Sequence, residues 1–297
     1  MKRVVVTGAA GFIGRHVLPV LREKGYDVHA LSSQKRESNH ITWHKVDFLS
    51  PLQVSEVLQE IKASHALHLA WCTTPGKYWT ATENLDWVSA SLHFARAFAR
   101  NGGKHLVVAG TCAEYAWEDS VLHESSSEFN PGTLYGVCKR SLFKILEKFC
   151  SQEGLRLAWG YIFYLFGSGE KEERFIPQII RGLLQNIEVK CSSGQQIRDF
   201  LHVSDVAAAF AAMVDSSAAG TFNIGSGRGI ALREIVEKLE KKLEKAGLVK
   251  FGERQTPANE PLHLVANTER ILTSVDWKPK IEIDQGLQEA LDWWSKK

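Results

Sequence analysis

The segment VVVTGAAGFIGRH, residues 4–16, constrains the fold more than any other stretch of the chain. A β-branched run ends in Thr7. Glycines then follow three apart at Gly8, Gly11 and Gly14, and helical spacing starts at Phe12 and Ile13. Glycine at such a corner permits a tight strand-to-helix turn, close backbone approach and close packing of helix on strand. The helix that follows offers free N–H groups and a positive dipole end, which suits a diphosphate. Strand, turn and helix come in the order that a dinucleotide site requires.

Downstream, strand-like and helix-like segments keep alternating. Strands are expected at 3–7, 27–31, 42–46, 66–70, 105–109 and 155–163, and helices at 12–23, 51–61, 84–100 and 135–152. This alternation predicts an α/β fold, a Rossmann-type doubly wound parallel sheet with helices on both faces. After LFGSGEKEE the rhythm changes. Helices are expected at 175–184, at 231–244 and in GLQEALDWW, which predicts a smaller mixed α/β substrate domain. The expected division gives 1–167 plus 196–223 to the dinucleotide domain and 168–195 plus 224–297 to the substrate domain, with a cleft between them.

Composition narrows the function classes. The 297 residues carry 36 basic and 34 acidic side chains, and no Lys/Arg block concentrates the small excess, so nucleic acid is not an expected partner. No apolar run approaches the roughly 20 residues that cross a bilayer, and membrane association is not expected either. Five scattered cysteines without a CxxC pair or a His/Cys cluster predict no metal site and reduced thiols, as in a cytoplasm. The first strand starts too early to leave room for a signal peptide, so a cytoplasmic protein is expected.

Cofactor choice is read at the end of the second strand, where an NAD site usually places a carboxylate on the ribose 2′-OH. Here the sequence is ALSSQKRES, with Ser32 and Ser33 in that place and Lys35 and Arg36 just after. Hydroxyls and a guanidinium would hold a 2′-phosphate that a carboxylate would repel, so NADP(H) is favoured over NAD(H). A solvated loop is the plainer reading of Lys35 and Arg36.

Chemistry is read in TLYGVCKRS, where Tyr135 and Lys139 stand four apart on an expected helix and so share a face. A phenol near pKa 10 is a poor acid–base group at neutral pH, and a nearby ammonium and the nicotinamide charge would lower it. Thr111 in VVAGTCAEYAW ends a strand at the carboxyl edge of the sheet, and its hydroxyl could bond a substrate carbonyl or alkoxide.

TGAAGFIG, the Thr111, Tyr135 and Lys139 set, RDFLHVSDVA, TFNIGSG, FIP and DWKP with LDWW together resemble the short-chain dehydrogenase/reductases of the extended type, the nucleotide-sugar-modifying NAD-dependent epimerase/dehydratase family. The resemblance covers nearly the whole chain. It implies a nucleotide-diphosphate sugar as substrate and Thr111, Tyr135 and Lys139 as the catalytic set. Asp47 and Phe48 would lie near the adenine, and Leu69, Ala70 and Trp71 would line the cofactor at the nicotinamide end. Cys72, Thr73, Thr111 and Cys112 would face the substrate. Arg198, with Arg174 a weaker candidate, would hold the diphosphate. The plainer reading of Arg198 is a salt bridge to Asp199 or Asp205, and Trp71 is equally well plain core.

Departures from the family matter. Thr111-Cys112-Ala113 replaces the Thr-Asp-Glu of dehydratases, so elimination of water is disfavoured. Cys112 lies one position from the cysteine of epimerase-reductases and reads as a buried inert thiol. His123 and His202 are possible helpers, His202 more often structural. Tyr161 and Tyr164 stand where many members have Arg and Asn. The leading expectation is an NADPH-dependent reductase of a nucleotide-diphosphate 4-keto-6-deoxysugar. The alternatives are an NAD(P)-dependent nucleotide-sugar 4-epimerase, and a non-catalytic NADP-sensing regulator that would have no use for Tyr135 and Lys139. A homodimer through the helices at 84–100 and 135–152 is expected, although Phe94, Phe98, Phe143 and Phe149 on them suit an intramolecular core equally.

Overall fold

A computed structural model describes residues 2–117, 120–255 and 260–297. In chain order the elements are β1 (Arg3–Thr7), α1 (Phe12–Glu23), β2 (Asp27–Ser32), β3 (Thr42–Lys45), α2 (Pro51–Ile61), β4 (His65–His68), α3 (Asn84–Arg100), β5 (His105–Thr111), β6 (Ser120–Leu122), α4 (Leu134–Glu153), β7 (Arg156–Ile162) and β8 (Tyr164–Phe166). They continue as α5 (Phe175–Gln185), β9 (Val189–Cys191), β10 (Ile197–His202), α6 (Val203–Asp215), β11 (Gly220–Ile224), β12 (Gly229–Ala231), α7 (Leu232–Leu243), β13 (Val249–Phe251), β14 (His263–Ala266), α8 (Glu269–Ser274) and α9 (Ile283–Trp294).

The large sheet has the order β11-β7-β5-β4-β1-β2-β3, with its strands parallel throughout. Central strands of such a sheet are covered on both faces, which is why β1 and β5 read as nearly unbroken apolar runs. α1 and the Ala-rich α6 cover one face, with Val17, Leu21, Val206 and Phe210 against Val4 and Val6. α2, α3 and α4 cover the other, with Phe94, Phe98, Leu142 and Phe143 against Val5 and Val108. The α/β doubly wound expectation holds.

β4 ends two residues sooner than the pattern predicts. Past His68 the Leu69 N–H is shared between the Thr7 carbonyl, at 3.3 Å, and the Thr7 hydroxyl, at 3.2 Å, and the Ala70 N–H goes to that hydroxyl at 3.1 Å. A second sheet runs β12-β10-β14-β6, with β8 on β10, and β9 pairs with β13. β10 lies inside the stretch 196–223 yet pairs in this second sheet, whereas α6 and β11 after it return to the large one. Asp205, at the first turn of α6, accepts the Lys280 and Ile281 N–H groups and so ties the C-terminal segment down. Among the described residues no helix is long and apolar enough to cross a membrane, and no group of three His, Cys, Asp or Glu is placed to hold a metal.

Candidate active site

β1, β4 and β5 are neighbours in the sheet, so Thr7, His68 and Thr111 end side by side at one edge. The glycine corner is built by close approach. Gly8 has φ 65°, and a Cβ there would lie 2.7 Å from Ala70 N. A Cβ on Gly14 would collide with the carbonyl oxygens of Gly8 and Ala9. Gly11 is the N-cap of α1, no side chain caps it, and the first turn carries no acidic residue. An uncapped N-terminus with a bare glycine approach fits a diphosphate.

Thr7 lies beneath the corner, wholly buried. Because its hydroxyl accepts from Leu69 and Ala70, it donates to His68 Nδ1 at 2.7 Å, and His68 Nε2–H then donates to Ser91 Oγ at 2.9 Å. Burial pushes the His68 imidazole down to about 3, so this relay contains a neutral ring. Phe48 stacks on His68 and Trp87, 5.2 and 5.8 Å between centroids, which packs its half-buried ring against the core. Asp47 caps its own turn through Leu49 N. At the end of β2 the Ser32 hydroxyl accepts from Gln34 N, and Ser33, Lys35 and Arg36 are exposed. The Arg36 guanidinium lies 5.7 Å from the Trp43 ring centre, and Lys35 pairs with Glu37 at 3.0 Å in open solvent.

Tyr135 and Lys139 rise from the first turns of α4, which Thr133 caps through Gly136 N. Gly136 is itself required, since a Cβ there would strike Ala113 O in the turn that follows Thr111. The Thr111 side chain counters part of the rise that burial imposes on the Tyr135 phenol. Lys139 Nζ donates to Ala109 O at 2.9 Å and rests 3.8 Å from the Trp71 ring centre. The sequence-based expectation that the ammonium lowers the phenol is reversed here. Burial is the largest influence on Tyr135 and raises it well above its ordinary range.

Trp71 is held in orientation by its indole N–H, which donates to Asn84 Oδ1 at 2.8 Å, so the ring is a fixed wall. Tyr78 and Trp79 pack edge-on to Tyr135 at 5.0 and 5.8 Å, and Trp117 packs on Trp79. Cys72 is half-buried and Thr73 exposed at the mouth of this box. Cys112 is buried, and burial pushes its thiol up to about 12, which suits the inert reading. Arg174 lies 5.3 Å from the Tyr78 ring centre, and its charge counters part of the rise that burial imposes on that phenol.

Arg198 corrects one expectation. Its salt bridge runs to Glu260, at 2.9 Å, and not to Asp199 or Asp205; its Nε donates to Tyr164 Oη at 3.1 Å. The two aspartates are already engaged by backbone: Asp199 accepts Ser226, Gly227 and Ala266 N–H groups, and Asp205 those of 280 and 281. Tyr161 Oη takes a hydrogen bond from Arg140, and Tyr115 Oη donates to Asn223, so both phenols are structural. His202 caps α6 through Ser204 N, and the His123 backbone N–H donates to Ser127 Oγ.

Sequence reasoning missed Glu114, which is fully buried in the turn after Thr111, and the Tyr78 and Trp79 pair. The apolar-aromatic pair inside a predicted loop was the available signal for the latter. Nothing local marked Glu114.

The model of the NAD dependent epimerase/dehydratase family matches residues 4–225. CDP-abequose synthase of Salmonella typhimurium is 26% identical over 97% of this chain and 97% of its own. dTDP-4-dehydro-6-deoxyglucose reductase of Escherichia coli is 24% identical over 97% of this chain and 96% of its own. The solved UDP-glucose 4-epimerase of Thermus thermophilus, in complex with NAD, superposes with a TM-score of 0.86 at 22% identity, covering 99% of each chain.

Proposed function

We propose, for a chain that belongs to the NAD dependent epimerase/dehydratase family, an NADPH-dependent reduction of the 4-keto group of a nucleotide-diphosphate 6-deoxysugar. The observation that carries this reading is the convergence of Thr111, at the end of β5, with Tyr135 and Lys139, at the start of α4, on the same sheet edge as the glycine corner. A bound nicotinamide would supply the hydride to the carbonyl carbon. Tyr135 gives its proton to the carbonyl oxygen, and Thr111 orients that oxygen through its hydroxyl. Lys139 holds the nicotinamide ribose, and Trp71 walls the same end. The Gly8, Gly11 and Gly14 turn, with Phe12 and Ile13, takes the diphosphate.

NADP is favoured because no carboxylate closes β2 and two serines with Lys35 and Arg36 stand there instead. The nucleotide sugar lies between the two sheets, against Cys72, Thr73 and Cys112, with Arg174 and Arg198 toward its diphosphate. Residues 1–167 plus 196–223 serve the cofactor in this proposal, and 168–195 plus 224–297 the sugar. A homodimer through α3 and α4 is supported by exposed Leu85, Val137 and Ile145 on those helices, whereas Phe94, Phe98 and Phe143 are committed to the core.

The relative named dTDP-4-dehydro-6-deoxyglucose reductase supports reduction. Likeness to a UDP-glucose 4-epimerase fold keeps 4-epimerisation with retained cofactor as the second reading. Purified protein with NADPH and a 4-keto-6-deoxy nucleotide sugar tests the choice. Reduction bleaches the NADPH absorbance in proportion to product. Interconversion of 4-epimeric sugars at constant NADPH would refute it.

A further inference from the structure

Glu114 is a fully buried carboxyl placed directly behind the site. It follows Thr111 in a capping box, so the turn that aims the Thr111 hydroxyl also carries this side chain. Its Oε1 accepts from Thr111 N at 3.0 Å and from Trp159 Nε1 at 3.1 Å, while its Oε2 has no hydrogen-bond partner among the described residues. Gly110 makes the room: a Cβ there would lie 2.8 Å from Oε1 and collide with the Trp159 indole nitrogen. A neutral glutamine would satisfy Thr111 and Trp159 equally, so those bonds alone do not call for a charge.

Lys139 is buried too, 3% exposed. Its hydrogen bond to Ala109 O and its contact with the Trp71 face are both to uncharged groups. Burying a lone ammonium or carboxylate costs several kcal/mol, and facing opposite charges offset part of that cost. We infer that Glu114 is a positioning residue that supplies the counter-charge of Lys139, keeping it an ammonium behind the Trp71 wall.

Both groups bond the end of β5, Lys139 Nζ to Ala109 O at 2.9 Å and Glu114 Oε1 to Thr111 N at 3.0 Å, two residues apart on one strand, and among the described residues they form no direct ion pair. Toward Lys139, β4 presents only the neutral His68. Toward Glu114, α4 presents Arg140 and Tyr135, β7 presents Tyr161, and the Thr111 turn presents Cys112 and Tyr115. Arg140 is engaged by Tyr161 Oη at 3.1 Å and stacks 3.6 Å from the Phe129 ring centre. Burial draws Lys139 below the ordinary ammonium range and Glu114 above the carboxylate range, and each opposes the other's displacement.

The inference rests on the proposed function only for its catalytic consequence, so the test reads charge directly. Protein labelled with ¹³C and ¹⁵N in lysine is titrated by NMR, the Lys139 signal being assigned by its loss in Lys139→Met. In Glu114→Gln the Lys139 ammonium is expected to lose its proton at a pH lower by about 1 to 3 than in the unaltered chain. An unchanged midpoint overturns the inference. Should Glu114→Gln not fold, Lys139→Met supplies the reverse reading by infrared spectroscopy. The carbonyl stretch of neutral Glu114 should then persist to higher pH than in the unaltered chain, and ionisation at the same pH overturns the inference. With active enzyme, Glu114→Gln should move the alkaline limb of kcat to lower pH and leave KM for the nucleotide sugar alone. A uniform fall of kcat at every pH would assign Glu114 a merely structural role. Absence of any turnover counts against the reductase reading and leaves the NMR result standing.

Discussion

Burial keeps the Tyr135 phenol protonated at neutral pH, and a protonated phenol is the form that reduction requires. As hydride arrives, the carbonyl oxygen becomes a strong base and takes that proton readily, so a high phenol pKa is no handicap in this direction. Oxidation of an alcohol would need the phenolate first. Tyr135→Phe removes the proton and leaves the ring packed among Tyr78 and Trp79. It should lower kcat by about 10² to 10⁴, with NADPH affinity by fluorescence titration unchanged. In the proposed reading, cofactor choice turns on Arg36. Arg36→Ala should weaken NADPH binding about tenfold or more, the loss of a charge-assisted bond, and leave NADH binding as it was. Calorimetry with both cofactors checks it, and equal loss for both would remove the 2′-phosphate role. The Tyr135 and Lys139 pair was legible because four residues make a helical turn. The Arg198 partner was not, since Glu260 lies 62 positions away and meets it only after the strands assemble.

At the scale of the element, the glycine corner combines a positive φ with backbone against backbone. Gly14→Ala forces a methyl onto the carbonyls of Gly8 and Ala9, and α1 must move off the end of β1. A loss of about 1 to 3 kcal/mol in urea unfolding is expected, together with loss of the thermal shift that NADPH gives the unaltered chain. An unperturbed shift would mean that the corner does not bind the cofactor. Strand, turn and helix of this unit were readable from residues 3–23 because the β-branched run, the glycines three apart and the helical spacing are all local in sequence, although Gly8 packs on the distant Ala70. The early end of β4 was not readable. It depends on the Thr7 hydroxyl, a neighbour 62 and 63 positions distant, which shares the Leu69 N–H with the Thr7 carbonyl and takes the Ala70 N–H. Glu114 was hidden for a similar reason: its burial needs Gly110 and Trp159 on adjacent strands.

For the molecule as a whole, buried histidines set the acid limit. His65 and His105 are pushed down to about 4 and His68 to about 3, chiefly by burial. Their unfolded value is near 6.5. The unfolded chain therefore binds more protons between about 6.5 and 4, so stability contributed by these rings is full above 6.5 and is lost as pH falls through that window. Glu170, pushed up to about 8, acts in the opposite sense and loses its contribution as pH rises toward that value. Unfolding free energy should fall steeply from pH 6.5 to 4, and His105→Leu should reduce that slope by up to about 1.4 kcal/mol per pH unit. Chemical denaturation at stepped pH measures it, and an unaltered slope would remove His105 from the account. The second sheet is where sequence reading reached least. β6, β8 and β12 have three residues each, too short for periodicity, and β14 finds β6 only after a long stretch of intervening chain has folded.

The central claim is that hydride passes to a sugar carbonyl while Tyr135 delivers the proton. NADPH carrying deuterium at the transferable nicotinamide position, incubated with a 4-keto-6-deoxy nucleotide sugar, tests both halves by mass spectrometry. The account predicts one deuterium in the sugar for each NADP⁺ formed, and almost none with Tyr135→Phe. Product without deuterium, or undiminished labelling by Tyr135→Phe, would contradict it.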